Sequence, residues 1–405
     1  MINVDSTMQS ATSLTAKEAA KELGVKPQTL YAYASRGLLR RVGSGKHRRY
    51  LVEDVERLRT RQRARSGHGP VAAAALRFGE PVLDSRITGI DDRGPLYRGH
   101  PAVELAAAGV SFEAVAALLW SGELPPAPPI WSALDAPARG WGAERTSLED
   151  LLLAVPALTL AAPERHSRAR DVELSLAPRL VRSLAALLVP EAARRGGGVA
   201  ELLAGSSKAP KKDARRALDL ALVLVADHEL NASSFAARVA ASTDAHLLAC
   251  VTAALATLSG PRHGGACDRV EALLDEAATL ARPASVLEKR TQRGDLVPGF
   301  GHPLYPQGDP RARLLLEHAR LLSRRSGALQ KRLEPAFALD KVMRKQGLPA
   351  TVDFGLVALT RALELKPGSA SLLFALGRSA GWIAHVLEQR ESDAVLRPRA
   401  RYLGA

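Results

Sequence analysis

Three histidines stand out by setting. His228 lies in Asp227-His-Glu-Leu-Asn231-Ala-Ser-Ser, His263 in Gly260-Pro-Arg-His-Gly-Gly-Ala, and His302 in Pro298-Gly-Phe-Gly-His-Pro-Leu-Tyr. All three fall at helix edges or in Gly/Pro loops rather than on apolar helical faces. Glycine lets a ligand approach the backbone closely, and a neighbouring carbonyl can fix which ring nitrogen holds the proton. Taken singly, each histidine has an ordinary structural reading. A zinc site is the sharp competitor, but no HExxH, CxxC or His-x-His spacing supports it. The two cysteines, Cys250 and Cys267, supply neither a disulfide framework nor a four-ligand zinc site. No metal is expected.

The elements that must hold these loops read as helices. Ser111 can cap a helix carrying Phe112, Val115, Leu118 and Leu119 that Gly122 ends. Ser147-Leu-Glu-Asp150 starts another. Apolar residues recur at helical spacing in Ala214–Val225, Ala245–Leu258, Val270–Leu280 and Leu372–Leu387. Strand signals reduce to a short pair at Ser85–Gly89 and Pro95–Arg98. With aromatics at 4%, the core rests on Leu, Ala and Val, and the class is all-α. The length of 405 residues suits two to three domains. The longest apolar stretch, Leu151–Pro163, is broken by Pro156 and too short to span a bilayer. Met1–Ser10 has neither a basic flank nor an apolar stretch, so no signal peptide is expected. These features point to a cytoplasmic protein without a membrane partner.

Charge separates the N-terminus from the rest. The net charge is +14, and residues 1–70 hold +8 of it, with 14 Lys+Arg against 6 Asp+Glu. Such asymmetry suggests a module facing a polyanion, against the plainer reading of a solvated basic face. Thr15-Ala-Lys-Glu18 has capping-box spacing, Ala19, Ala20 and Leu23 form an apolar stripe, and Gly24 ends the helix. Pro27 suits the first position of a second helix, which stops at Gly37. Arg40 to Tyr50, through Gly43-Ser-Gly45, reads as a basic hairpin, and Val52–Leu58 returns to helical spacing. Residues 13–60 resemble a MerR-like or excisionase-type winged helix-turn-helix. That resemblance implies groove-facing Gln28, Thr29 and Tyr31, with Lys46, Arg48 and Arg49 near DNA phosphates. A protein-interaction or membrane-surface patch is the alternative. The module and the start of a linker take residues 1–66, and the linker continues over 67–79.

From residue 80 the chain is similar to citrate synthase. The ordered pieces are Ile87-Thr-Gly-Ile-Asp91, Gly94-Pro-Leu-Tyr-Arg98-Gly99, Gly122-Glu-Leu-Pro125, His228-Glu-Leu-Asn231-Ala-Ser, Gly260-Pro-Arg-His263-Gly-Gly, Gly299-Phe-Gly-His302, Asp309-Pro-Arg311, Val352-Asp353-Phe, Gly377-Arg378-Ser-Ala-Gly-Trp and Leu396-Arg397-Pro. The resemblance implies a large helical domain (80–266 and 359–405), a smaller mobile domain (267–358) and a homodimer. It makes Asp353 the base that takes a proton from the thioester methyl of acetyl-CoA, with His263 donating to the thioester carbonyl. His302 would polarise and protonate the ketone of oxaloacetate. Arg311, Arg378 and, across the dimer, Arg397 would bind the carboxylates, with His228 assisting. Pro298, Gly299, Phe300, Gly301 and Thr351 fall on the CoA side. CoA is then a substrate group and no cofactor is required.

Three departures bear on the acyl group. Thr351 stands where Asn is often found, Pro303 and Pro306 replace basic residues, and Cys267 occupies a position where Asn is frequent. Two readings follow: a citrate or 2-methylcitrate synthase, using acetyl- or propionyl-CoA, with an added DNA-binding module; or a regulator whose synthase fold senses metabolites.

Overall fold

A computed structural model describes residues 13–35, 39, 41–42, 49–52, 54–55, 83–134, 147–189, 197–392 and 394–397. The chain divides into two compact units, residues 1–84 with 397–405, and residues 85–396.

In the first unit, β1 (Ser13–Thr15) leads into α1 (Ala16–Leu23) and α2 (Pro27–Ser35), followed by β2 (Arg41–Val42) and β3 (Arg49–Leu51). The capping box forms as the spacing predicts. Thr15 Oγ1 accepts from Glu18 N–H at 3.3 Å, and Glu18 Oε2 accepts from Thr15 N–H at 2.8 Å. Ala19, Ala20 and Leu23 are buried with Leu30, Leu39, Tyr50 and Val55 as a small core. The strands are antiparallel in the order β1-β3-β2, with Thr15 opposite Arg49 and Arg41 opposite Tyr50. The basic hairpin is therefore present, with an unforeseen third strand beside it. Val52, Asp54 and Val55 are helical. Gly37, residues 43–48 and residues 67–79, read from the sequence as a helix end, a glycine turn and a linker, lie outside the described residues.

The second unit opens with a three-stranded antiparallel meander: β4 (Thr88–Asp91), β5 (Gly94–Tyr97) and β6 (His100–Pro101). Thr88 faces Tyr97, which agrees with the strand pair read from the sequence. Helices follow: α3 (Ala102–Ala107), α4 (Phe112–Ser121), α5 (Leu148–Leu158), α6 (Arg170–Leu188), α7 (Val199–Leu203), α8 (Lys211–Val225), α9 (Ala232–Ser242) and α10 (Leu247–Leu258). Next come α11 (Ala266–Ala278), α12 (Ser285–Arg293), α13 (Pro310–Ser323), α14 (Gly327–Lys345), α15 (Val352–Ala362) and α16 (Ser369–Gln389).

Local signals explain many ends. Ser111 caps α4 and Ser147 forms a capping box with Asp150 at α5, both as the sequence predicts. Pro156 does not break the apolar stretch as expected. It sits in the last turn of α5 and withholds the N–H that would reach the Leu152 carbonyl, but buried Val155 and Leu158 anchor that turn against the loss.

Helix α16 is the axis of the unit. Nearly every residue from Ala370 to Gln389 is buried, and α4, α6, α8, α9, α10 and α15 pack around it. A helix apolar on all sides must be enclosed on all sides. Among the described residues it is also the one helix long and apolar enough to cross a membrane, and its apolar window is wholly buried in the protein. Its burial brings Arg378, in mid-helix, into the centre of the unit.

Candidate active site

The site is assembled from loop ends laid against α16. Asn231 caps α9, accepting from Ser233 N–H at 3.1 Å and Ser234 N–H at 3.2 Å, which fixes the segment carrying His228. His263 follows the C-terminal end of α10. The Gly299–His302 loop is clamped to the start of α15: Thr351 N–H donates to Gly299 carbonyl at 2.9 Å, and Gly301 N–H to Pro349 carbonyl at 2.8 Å. Gly299 has a φ of +86° and faces Val270, whose Cγ2 would lie 2.6 Å from an added Cβ. Only glycine fits there, and the clamp brings His302 toward Thr351, the residue preceding α15, and Asp353 in its first turn.

His228, His302 and Tyr305 form one aromatic cluster. The ring centroids of His228 and His302 are 5.7 Å apart, and His228 Nε2 shares a hydrogen bond of 2.8 Å with the Tyr305 hydroxyl. Arg311 lies over the Tyr305 ring at 5.5 Å. His302 Nδ1 accepts from Leu304 N–H at 3.1 Å, so a neutral ring carries its proton on Nε2 and can donate from there.

His263 belongs to a second group. Its Nε2 lies 2.8 Å from Ser233 Oγ, which also receives Trp382 Nε1–H at 3.0 Å and lies 2.7 Å from Asn231 Oδ1. Ser233 has a single proton to give. Given to Asn231, it leaves His263 protonated on Nε2; given to His263, it puts the ring proton on Nδ1. The hydroxyl thereby sets which nitrogen of His263 can donate to a ligand.

Arginine charge presses on both groups. Arg311 and Asp309 form a buried two-pronged pair, Nε to Oδ1 at 3.0 Å and Nη2 to Oδ2 at 2.8 Å, and Arg311 Nη1 is buried without a partner. Arg378 is 2% exposed; its Nε donates to Val225 carbonyl at 2.8 Å and its guanidinium lies over Phe374 at 4.7 Å. Among the described residues no carboxylate pairs with it. Burial first, then Arg311 and Arg378, holds His228 well below the usual imidazole range. Burial and Arg378 push His263 down to about 4, and burial and Arg311 lower His302. All three rings are neutral donors or acceptors at pH 7. Burial raises Asp353 against the opposing pull of Thr351, whose Oγ1 donates to Oδ2 at 3.2 Å.

The structure thus brings His228, His263, His302, Arg311, Asp353 and Arg378 into one electrostatically linked neighbourhood, with the 298–301 and 351 segments at its edge. Arg397 is exposed and falls outside the 85–396 unit. In the N-terminal unit Gln28 is exposed, Thr29 half-buried, and Tyr31 47% exposed on α2. Arg49 is engaged with Ser13, donating to its Oγ at 2.9 Å and its carbonyl at 2.7 Å. Lys46 and Arg48 lie outside the described residues. Sequence reasoning missed Ser233, Tyr305, Asp309 and Trp382 as supports; only Ser233, the second residue of an Asn-capped helix next to His228, had a local signal. Among the described residues no group of three His, Cys, Asp or Glu is placed to hold a metal ion.

The comparisons with known proteins agree with this geometry. A family model for the C-terminal domain of citrate synthase matches residues 77–133 and 132–399, and a helix-turn-helix domain model matches residues 13–63. The citrate synthase of Haloferax volcanii is 33% identical over 360 residues, covering 80% of this chain and 93% of the relative. The 2-methylcitrate synthase of Shewanella oneidensis is 28% identical over 353 residues, covering 80% and 92%. Among solved structures, the ternary complex of citrate synthase from the thermophilic archaeon Thermoplasma acidophilum with carboxymethyl coenzyme A and oxaloacetate matches with a TM-score of 0.69 at 27% identity, covering 80% and 94%. Fold and site define a mostly helical acyltransferase of the carbon–carbon condensing class. The chain belongs to the citrate synthase family.

Proposed function

We propose that this protein condenses acetyl-CoA with oxaloacetate and water to give citrate and CoA. The observation that carries the reading is the pair of buried guanidiniums, Arg311 with an unpartnered Nη1 beyond its pair with Asp309 and Arg378 with no carboxylate in pairing distance among the described residues, beside three neutral imidazoles and the buried carboxylate of Asp353. Free guanidinium N–H groups of this kind suit the carboxylates of a small dianion.

In this reading Asp353 takes a proton from the thioester methyl while His263 donates to the thioester oxygen as it gains charge. The methyl carbon then bonds to the ketone carbon of oxaloacetate. The ketone oxygen takes up the electron pair and a proton from His302 Nε2, and the proton that Asp353 removed from the methyl group returns through solvent to the ring. Water next attacks the thioester of the resulting citryl-CoA, and the C–S bond breaks to release CoA. Arg311, Arg378 and, contributed across a homodimer, Arg397 hold the oxaloacetate carboxylates, with His228 assisting. Pro298, Gly299, Phe300, Gly301 and Thr351 line the CoA side, and closure of residues 267–358 on the remainder excludes water during the first step. No metal or prosthetic group takes part.

The likeness to a 2-methylcitrate synthase supports a second substrate, propionyl-CoA. The matched helix-turn-helix segment, with its share of the charge, supports DNA binding through Gln28, Thr29, Tyr31, Lys46, Arg48 and Arg49. A regulator that only senses metabolites is the reading to be excluded. Thiol release from acetyl-CoA in the presence of oxaloacetate, with Asp353→Ala as control, tests catalysis. No release above that control, with acetyl- or propionyl-CoA, overturns it. Retention of duplex DNA should weaken with salt and with Arg48→Ala/Arg49→Ala; indifference to both removes the DNA contact.

A further inference from the structure

The carboxylate of Asp353 is held from two sides by donors of unequal strength. Thr351 Oγ1 donates to Oδ2 at 3.2 Å. From the first turn of α11, Cys267 Sγ reaches the other oxygen, Oδ1, at 3.6 Å. Cys267 is 1% exposed and forms no disulfide. Burial, and then the charge of Asp353, pushes its thiol well above the ordinary cysteine range. It is therefore a protonated S–H donor and no nucleophile.

We propose that Cys267 is a positioning residue for the condensation, its S–H aligning Asp353 Oδ1 while leaving the carboxylate a stronger base than an N–H donor at that place would. The proposal deepens the reading of Asp353 as the base and rests on it. A donor on Oδ1 stiffens the carboxylate against turning about its terminal bond, beside Thr351 on Oδ2 and the backbone amide of Asp353 itself. A strong donor would hold the orientation but stabilise the anion, and so weaken the group that must remove a proton from carbon. A thiol holds the orientation at smaller cost in basicity.

The other charges acting here are common to every variant of position 267. Arg311 lowers the pKa of Asp353, Asp353 raises those of His302 and Arg378, and Asp268 and Glu271 of α11 act on the thiol. Substituting position 267 alone therefore isolates the donor.

The test uses full-length protein carrying Cys267→Asn or Cys267→Ala, with Cys267→Ser added if the Asn variant does not fold. Two readouts are taken. One is the acid limb of kcat against pH; the other is the pH titration of the Asp353 carboxyl infrared band, identified by its loss in Asp353→Asn. The midpoint should fall by about 0.3–1 pH unit in Cys267→Asn and rise by a similar amount in Cys267→Ala. The KM for oxaloacetate should stay within about twofold of the wild type. A purely structural role would change thermal stability and leave the midpoint in place. Midpoints that coincide, or that move the same way in both variants, overturn the proposal. Absence of wild-type turnover overturns the reading of the reaction, and the infrared titration then still decides whether the thiol tunes Asp353.

Discussion

Replacing Arg311 separates two roles held by one guanidinium. Its pair with Asp309 is almost sealed from solvent, at 2% and 0% side-chain exposure, with contacts of 3.0 and 2.8 Å. Arg311→Leu would leave the buried Asp309 carboxylate with two backbone N–H donors and no counter-charge, and breaking a buried pair in this way typically costs about 3–5 kcal/mol. That is a large share of the roughly 5–15 kcal/mol by which a domain is stable, so the variant should fold with a much lower denaturant midpoint. Asp309→Asn in the same chain removes the stranded charge while keeping a side-chain oxygen for Arg311 N–H, now held at 3.0 Å by Oδ1. The double variant should therefore be more stable than Arg311→Leu alone. The second role is binding. A charge-assisted hydrogen bond from Nη1 to a substrate carboxylate is worth about 1.5–3 kcal/mol, roughly 10- to 150-fold in affinity. Arg311→Lys keeps the charge, but one ammonium cannot grip Asp309 and reach a ligand together. The KM for oxaloacetate should rise by about 10-fold or more, and that for acetyl-CoA by no more than about twofold, in the thiol-release assay. An unchanged oxaloacetate KM in Arg311→Lys, or a double variant no more stable than the single one, would refute the reasoning.

Ser233→Ala leaves Trp382 Nε1–H without its acceptor and His263 Nε2 without its partner, so kcat should fall about 10- to 100-fold with little change in the oxaloacetate KM; an unaffected kcat removes Ser233 from the positioning of His263. Gly381→Ala would place a Cβ 2.2 Å from Asp227 Oδ1 and 2.5 Å from Ala226 carbonyl, and overpacking of this kind costs about 1–3 kcal/mol. Calorimetry should show a lowered Tm, and an unchanged Tm contradicts the close approach of α16 to the His228 segment. Burial raises Asp219 to about 6, while its Oδ1 accepts from Phe112 N–H at 3.1 Å. A carboxyl with a raised folded pKa destabilises the fold once ionised, absent below about 4 and complete above about 6. Asp219→Asn should thus gain about 2–3 kcal/mol at pH 7 and little at pH 4; equal gains at both pH values would show that ionisation is not the cause.

What the sequence made legible was local. Thr15, Ser111 and Ser147 each cap a helix within three residues, so their signals are complete in a short window. The glycine settings of His263 and His302 also marked loops that approach a ligand. Pro156 misled because the tertiary burial of Val155 and Leu158 holds the turn despite the hydrogen bond the ring removes, and such burial is not read from a short window. The third strand, Ser13–Thr15, needed its partner β3 some 36 residues away. The supports of the site are equally remote. Ser233 meets His263 over 30 residues, His228 meets Tyr305 over 77, and Cys267 meets Asp353 over 86. No spacing rule reaches across such distances; helix packing decides them. The roles of Asp353 and the arginines came through family resemblance, since alone they read as ordinary helix-end charges.

The electrostatics of the site also explain why it divides its labour between imidazole and carboxylate. Burial first, and then Arg311 or Arg378 or both, makes an imidazolium costly at His228, His263 and His302, so in the proposed reaction these rings would donate hydrogen bonds from neutral N–H groups. A ring so depressed is a poor base for a carbon acid. The base must be an anion, and an anion gains from the same positive field that the imidazoles avoid. Asp353 meets this need only because burial offsets the pull of Arg311 and Thr351, keeping its pKa above the ordinary carboxylate value. Oxaloacetate would then bring negative charge to Arg378, which no carboxylate among the described residues pairs, and to the unpartnered Nη1 of Arg311, whose other edge Asp309 holds. Recognition and base strength are in this sense one arrangement: adding a carboxylate to satisfy Arg378 in the empty site would remove both the binding energy and the charge that, beside burial, keeps His228 and His263 neutral.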